Sequence, residues 1–157
     1  MLCPHRQKGF TLIELIITLA VIGILTAAVL SSFNEILNEQ KRTQAASQVQ
    51  NDFRSAQNRA MSGIDQENYS GWGLAFTVGS NTYNLCGRKG DTTNCNTQLD
   101  TLTLPQGIVI KDAPAYVVFQ VITGENLSGS STIKVGLTGD AASKWKSVTV
   151  SAGGNIE

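Results

Sequence analysis

The chain changes its hydrophobic rhythm twice. From Phe10 to Phe33 apolar residues follow one another with almost no interruption: FTLIELIITLAVIGILTAAVLSSF. These 24 residues contain one charge, Glu14. As a helix the run would measure about 36 Å, enough to cross a bilayer core. A second rhythm follows. Ala46, Val49, Phe53, Ala56 and Ala60 recur at steps of three and four, with Gln44, Gln48, Asp52, Arg54 and Arg59 on the other faces. That is one apolar stripe on an amphipathic helix. No proline stands between Pro4 and Pro105, so the helix is expected to run on to Met61-Ser62-Gly63, where glycine can cap it. Beyond Gly63 the period shortens to two. Trp72, Leu74, Phe76 and Val78 alternate with Gly73, Ala75 and Thr77, as in a half-buried strand. A turn at Gly79-Ser80-Asn81 leads to Tyr83-Asn84-Leu85. Further strands are predicted at 99–104, 107–111, 116–122, 132–137 and 147–151. The fold class is α+β: a long N-terminal helix, apolar in its first half, packed on a small antiparallel β-domain, either a sandwich or a curled sheet.

Composition narrows the function. Only 15% of the 157 residues are charged, and formal net charge is zero. Arg6 and Lys8 precede the apolar run; without residues 1–9, ten basic residues face twelve acidic ones. Such a chain has no general attraction for nucleic acid. The one histidine, His5, lies in the same short leader. Its loss removes the imidazole that a triad or an ordinary zinc site needs. No enzyme activity, metal or cofactor is expected. Asp91, Asn94 and Asn96 lack the spacing of a calcium loop. Cys86 and Cys95 bracket a polar loop and are expected to pair if the domain is exported; in a reducing compartment they would stay free. Within that loop Arg88-Lys89 reads as a solvated turn.

Three readings of the N-terminus compete. A secretory signal has a shorter apolar region of 7–15 residues and a small-residue cleavage site, for which Thr26-Ala27-Ala28 is a loose match. A carboxylate within the region argues against it. A plain membrane anchor leaves Glu14 unexplained, because a charge there costs about 2.5–3.5 kcal/mol even on the lenient insertion scale. The third reading accounts for the carboxylate. Lys8-Gly9-Phe10-Thr11-Leu12-Ile13-Glu14 resembles the processing site of type IV prepilins and type II secretion pseudopilins.

The resemblance implies that a membrane peptidase cuts between Gly9 and Phe10 and methylates the new amine. Glu14, now the fifth residue, would meet the amine of a neighbouring subunit during assembly. Its own amine, four residues away, is the alternative partner. The expected organisation is a leader at 1–9, a transmembrane and filament-core helix at 10–33, an amphipathic helix at 34–62 and a β-rich domain at 63–157. Basic residues before the run would hold its start in the cytoplasm. The expected location is thus single-pass in the inner membrane, with the domain in the periplasm or outside the cell, then in a filament. Implied partners are the prepilin peptidase, other pilin or pseudopilin subunits, an inner-membrane assembly platform and the lipid bilayer.

Residues 48–60 and the later order of strands resemble the FimT/GspH-type minor pilins and pseudopilins. Many major pilins carry a proline about twenty residues into the mature chain, where Ser31 and Ser32 stand here. Some FimT-type relatives bind DNA through a Gly-Arg-x-Arg tail. This chain ends Gly153-Gly154-Asn155-Ile156-Glu157, without either arginine. Lys144-Trp145-Lys146 offers a substitute DNA or ligand contact, two cations around one stacking ring; otherwise it is the solvated start of the last strand. The leading function is structural, assembly into a type IV pilus or type II secretion pseudopilus. The alternative is a DNA- or ligand-binding minor pilin acting in DNA uptake or adhesion.

Overall fold

The computed structural model describes residues 10–90 and 94–157, apart from the side chains of residues 28–32. The predicted leader, with Cys3, His5 and Gly9, and Asp91 of the cysteine loop lie outside the described residues. The chain divides into two compact units at the Leu37–Asn38 boundary.

One helix, α1, spans Leu12–Met61. Thr11 caps it: its carbonyl accepts from the Glu14 and Leu15 amides, and its hydroxyl from the Glu14 amide at 3.4 Å. The helix ends as the glycine signal predicts. Gly63 adopts a φ of 64°, its amide donates to the Ala60 carbonyl and the Ile64 amide to the Arg59 carbonyl. This is the Schellman arrangement, which a residue with a Cβ would strain.

Seven strands follow: β1 (Gly71–Phe76), β2 (Thr82–Arg88), β3 (Thr97–Thr103), β4 (Ile108–Asp112), β5 (Tyr116–Gln120), β6 (Ser131–Leu137) and β7 (Lys146–Val150). They form two antiparallel sheets, ordered β3-β2-β1-β5 and β4-β6-β7. One apolar cluster joins both sheets to the rear of α1. Ala45, Val49, Phe53, Ala56 and Ala60 come from the helix. Trp72, Leu74, Phe76, Val117 and Phe119 come from the larger sheet, and Ile108, Ile110, Ile133, Val135, Val148 and Val150 from the smaller. Phe53 sits at its centre, fully buried, with ring centroids 5.7 Å from Phe76 and 6.1 Å from Phe119. Small residues at Ala56 and Ala60 let the helix backbone approach the sheet there.

Several details depart from the periodicity. The buried stripe begins at Ala45, with Ala46 only half-buried. Both alanines are small enough for either to face the sheet, so composition could not choose between them. Val78, read as part of the first strand, is exposed in the turn after β1. β1 is buried on nearly every residue rather than on alternate ones. It lies between β2 and β5, and a Cβ at Gly73 would come within 2.1 Å of the Val117 carbonyl oxygen. The strand read as reaching Ile122 ends at Gln120. Ile122 turns off at a φ of 76° so that its amide can donate to the Ala60 carbonyl.

The chain covers most of its own sheet edges, which otherwise invite edge-to-edge pairing. Residues 125–127 bond along β5, and the C-terminal tail bonds along β7 through Thr149–Glu157 and Val150–Ile156. Ser80 accepts from the Ile110 amide on β4. At β3 an extra residue, Leu99, breaks the register opposite Leu85–Cys86. The Thr101 amide there is occupied by the Asp100 carboxylate, 2.8 Å away.

Candidate functional site

The front of α1 presents apolar side chains in every direction. Phe10, Leu12, Ile13, Leu15, Ile16, Ile17, Leu19, Val21, Ile22, Ile24 and Leu25 are all exposed. A helix apolar on all sides requires an apolar environment, whether lipid or other helices. Glu14 lies in its first turn, and among the described residues its carboxylate has no partner. Phe10 precedes the helix and is exposed. Among the described residues no helix is long and apolar enough to cross a membrane. The span read from the sequence, 10–33, includes residues 28–32, whose side chains are not described.

Cys86 and Cys95 are bonded, with Cα atoms 5.5 Å apart. The bond ties β2 to the segment that enters β3. Asn96 closes the same loop, accepting from the Lys89 amide and donating to its carbonyl. That commits a residue considered for calcium. The Lys89 ammonium stands 5.4 Å from the centre of the Tyr69 ring, and Tyr69 lies over Gly87, where a Cβ would come within 2.4 Å of it. Reduction of the disulfide is expected to lower stability by about 2–3 kcal/mol, the loop-closure entropy of so short a loop. Chemical denaturation of the chain in detergent, with and without reductant, measures the difference.

Lys144-Trp145-Lys146 is largely committed to internal contacts. Lys144 ends a 3-10 turn, Ala142–Lys144, and is exposed. Trp145 is half-buried over Gly136, where a Cβ would come within 2.8 Å of the ring; its indole N–H donates to the Asp140 carbonyl at 3.2 Å. Lys146 forms an ion pair with Glu39 of the helix. The indole N–H is thus committed inside the fold, and the ring is only partly exposed.

Beneath this tripeptide lies a charge pair that periodicity does not reveal. The Arg42 side chain is 2% exposed and that of Asp140 9%. The guanidinium holds Asp140 by two parallel bonds, 2.7 Å from Nε to Oδ2 and 2.8 Å from Nη2 to Oδ1. It also donates to Glu39 at 3.1 Å. Asp140 accepts a further bond from the Leu137 amide. The Arg42 bond, joined by that amide, holds the Asp140 carboxyl below its ordinary range; Lys146 and then Arg42 do the same for Glu39. Because Asp140 is depressed on folding, its contribution is complete above the ordinary aspartate range and is lost as pH falls through the folded value. A second polar tie joins the helix to β2. The Tyr83 hydroxyl donates to Asp52 and approaches Gln48, and burial pushes the phenol pKa up.

Among the described residues no cluster of three or more His, Cys, Asp or Glu side chains is placed to hold a metal. A shallow groove of about 310 Å³ is lined by Pro114, Ala115, Tyr116, Leu127 and Ser128. The Ser128 hydroxyl accepts from the Val118 amide, and no acid or base faces it from the groove lining.

Residues 4–30 match the sequence profile of the prokaryotic N-terminal methylation motif. The fold is similar to that of the type IV minor pilin FimU of Pseudomonas aeruginosa, with a TM-score of 0.54 and 13% identity, over 73% of this chain and 90% of that one. It is also similar to the minor pseudopilin EpsH from the type 2 secretion system of Vibrio cholerae, with a TM-score of 0.51 and 15% identity, over 74% and 94% of the two chains. Its N-terminal segment and its fold are thus similar to those of type IV pilins. The type IV major alpha-pilin and fimbrial protein Q of Moraxella bovis are each 42% identical to it over 45 residues, 29% of this chain. That stretch spans 28% and 29% of the two relatives.

The C-terminal tail serves the fold. The Gln57 amide donates to the carbonyls of Gly124 and Gly154, tying the tail to α1. Gly154 has a φ of 83°, and a Cβ there would come within 2.5 Å of the Gly124 carbonyl oxygen. The tail is thus tied back onto the fold at Gly154 and Ile156. Gln48, Asp52 and Arg42, on faces read as solvated or left unassigned, instead bind the β-domain.

Proposed function

We propose that the chain is a structural minor pilin or pseudopilin, assembled into a type IV pilus or a type II secretion pseudopilus, with no catalysis of its own. One observation carries the reading: a helix apolar on every face, its side chains exposed, with a single carboxylate four residues after Phe10. The methylation-motif match over residues 4–30 and the fold likeness to a minor pilin and a minor pseudopilin support it.

In this account residues 1–9 are a leader, 10–33 the membrane and filament-core helix, 34–62 the amphipathic helix and 63–157 the β-domain. Prepilin peptidase releases the leader after Gly9 and methylates Phe10. Before assembly the helix rests in the inner membrane, with the domain on the far side from the cytoplasm, where Cys86 and Cys95 oxidise. An assembly platform then transfers the helix from lipid to neighbouring helices. Both environments satisfy apolar side chains equally, so that transfer gains little from hydrophobicity alone. The Phe10 amine of one subunit and Glu14 of another add the directional term, a charge pair inside an apolar bundle.

The test is recovery of the chain in sheared surface filaments or over-assembled pseudopili from a cell that carries the machinery. The expected result is recovery that depends on the peptidase. A chain that remains in the membrane fraction with the machinery intact contradicts the proposal.

A further inference from the structure

We propose that Arg42 and Asp140 form a latch that fixes the first domain-bound turn of α1, around residues 39–46, to the loop between β6 and β7. The inference deepens the assembly reading, because the latch would decide where the helix stops belonging to its own domain and becomes available to other subunits.

The argument starts from position. Arg42 is the first fully buried residue of the unit that begins at Asn38. The next buried position, Ala45, has a single methyl group to hold the turn. Large apolar anchors begin only with Val49 and Phe53. Apolar packing therefore binds residues 49–60 strongly and residues 39–46 weakly. Attachment of the first turn falls to charge: the two-pronged Arg42–Asp140 pair and the Glu39 bonds to Arg42 and Lys146.

The Arg42 side chain is 2% exposed and that of Asp140 9%, and neighbouring groups hold the loop in place. Trp145 lies over Gly136 and bonds the Asp140 carbonyl, while the Leu137 amide holds the Asp140 carboxylate. The charged groups around the latch are Glu39 and Arg42 from α1, Asp140 from the loop, Lys144 from the 3-10 turn and Lys146 from β7. A buried guanidinium that loses its carboxylate has one inexpensive escape, which is to carry its turn of helix outward into solvent. The stripe from Val49 onward can stay in place while it does so. The latch thus opens locally rather than with the whole domain.

Amide hydrogen exchange on the full-length chain in detergent micelles reads this directly, without filaments. Asp140→Asn is expected to raise exchange of residues 39–46 at least tenfold and to leave residues 49–60 unchanged. Gly136→Val keeps all the charges but crowds both the Trp145 ring and the Asp140 Oδ2, which lie 2.8 Å and 3.4 Å from the added Cβ, and it should produce the same local pattern more weakly. Unchanged exchange at 39–46 in both variants overturns the proposal. So does an equal rise across 39–60, which would mean general loosening of the domain. Because the measurement uses unassembled protein, its failure leaves the filament reading standing. Failure to enter filaments, in turn, does not affect the latch.

Discussion

Glu14→Val should leave the chain inserted in the membrane and its leader cleaved, yet lower its recovery in filaments at least tenfold. The apolar run becomes more hydrophobic, so insertion is not impaired. The Gly9–Phe10 bond is untouched. What changes is the moment at which the helix enters a bundle of others. On the proposed reading, the processed Phe10 of a neighbour would bring a cation into apolar surroundings where no carboxylate meets it. Removing one partner of a buried pair costs about 3–5 kcal/mol, and each 1.4 kcal/mol is about tenfold in an equilibrium. Glu14→Gln separates charge from polarity: it can still accept a hydrogen bond and should fall between the two. Immunodetection in the sheared fraction, normalised to the membrane fraction, gives the ratio. Equal recovery of Glu14→Val and the unaltered chain would remove the role assigned to the carboxylate.

Phe53→Ala is the largest structural loss expected. The ring projects from α1 and is fully buried, within aromatic contact of Phe76 on β1 and Phe119 on β5. Truncation removes transfer energy, leaves a cavity and forfeits two aromatic contacts, in total about 3–5 kcal/mol. For a domain of this size the melting temperature should fall on the order of 10–20 °C. Relaxation into the cavity is restricted on one side by Ala56 and Ala60, which already hold the helix close to the sheet. Phe53→Leu keeps most of the volume and should cost less than half as much. Thermal unfolding followed by the fluorescence of Trp72 and Trp145 measures both. A change below about 1 kcal/mol for the alanine variant would mean that the helix is not anchored at this point.

The sequence is most legible where one physical demand dominates. An unbroken apolar run with a single carboxylate has few explanations, and Phe10 to Glu14 narrow them further. The helix end is readable because Gly63 can adopt a backbone conformation that other residues avoid. The first strand is readable from Trp72, Leu74 and Phe76, although its burial on both faces is not, and the cysteines at 86 and 95 bracket a loop short enough to bridge. Legibility fails where partners are distant in the chain. Arg42 and Asp140 are 98 residues apart, and an arginine among polar neighbours reads as solvated until its carboxylate is known. Gln48 and Asp52 look like members of a wet helix face until Tyr83 arrives from β2. Lys144-Trp145-Lys146 shows the same limit from the other side. Two cations around a ring suggest a ligand, but Gly136, nine residues earlier, provides the space into which that ring packs. Periodicity reports which side of an element is apolar. It does not report which polar residue finds its counterion across the fold.

The most direct test of the account is the mass of the N-terminal peptide from the chain produced in a cell with an active prepilin peptidase. The account predicts a mature chain beginning at Phe10 with one methyl group on its amine. A chain that retains Met1, or one that begins after Ala27 or Ala28, would contradict it.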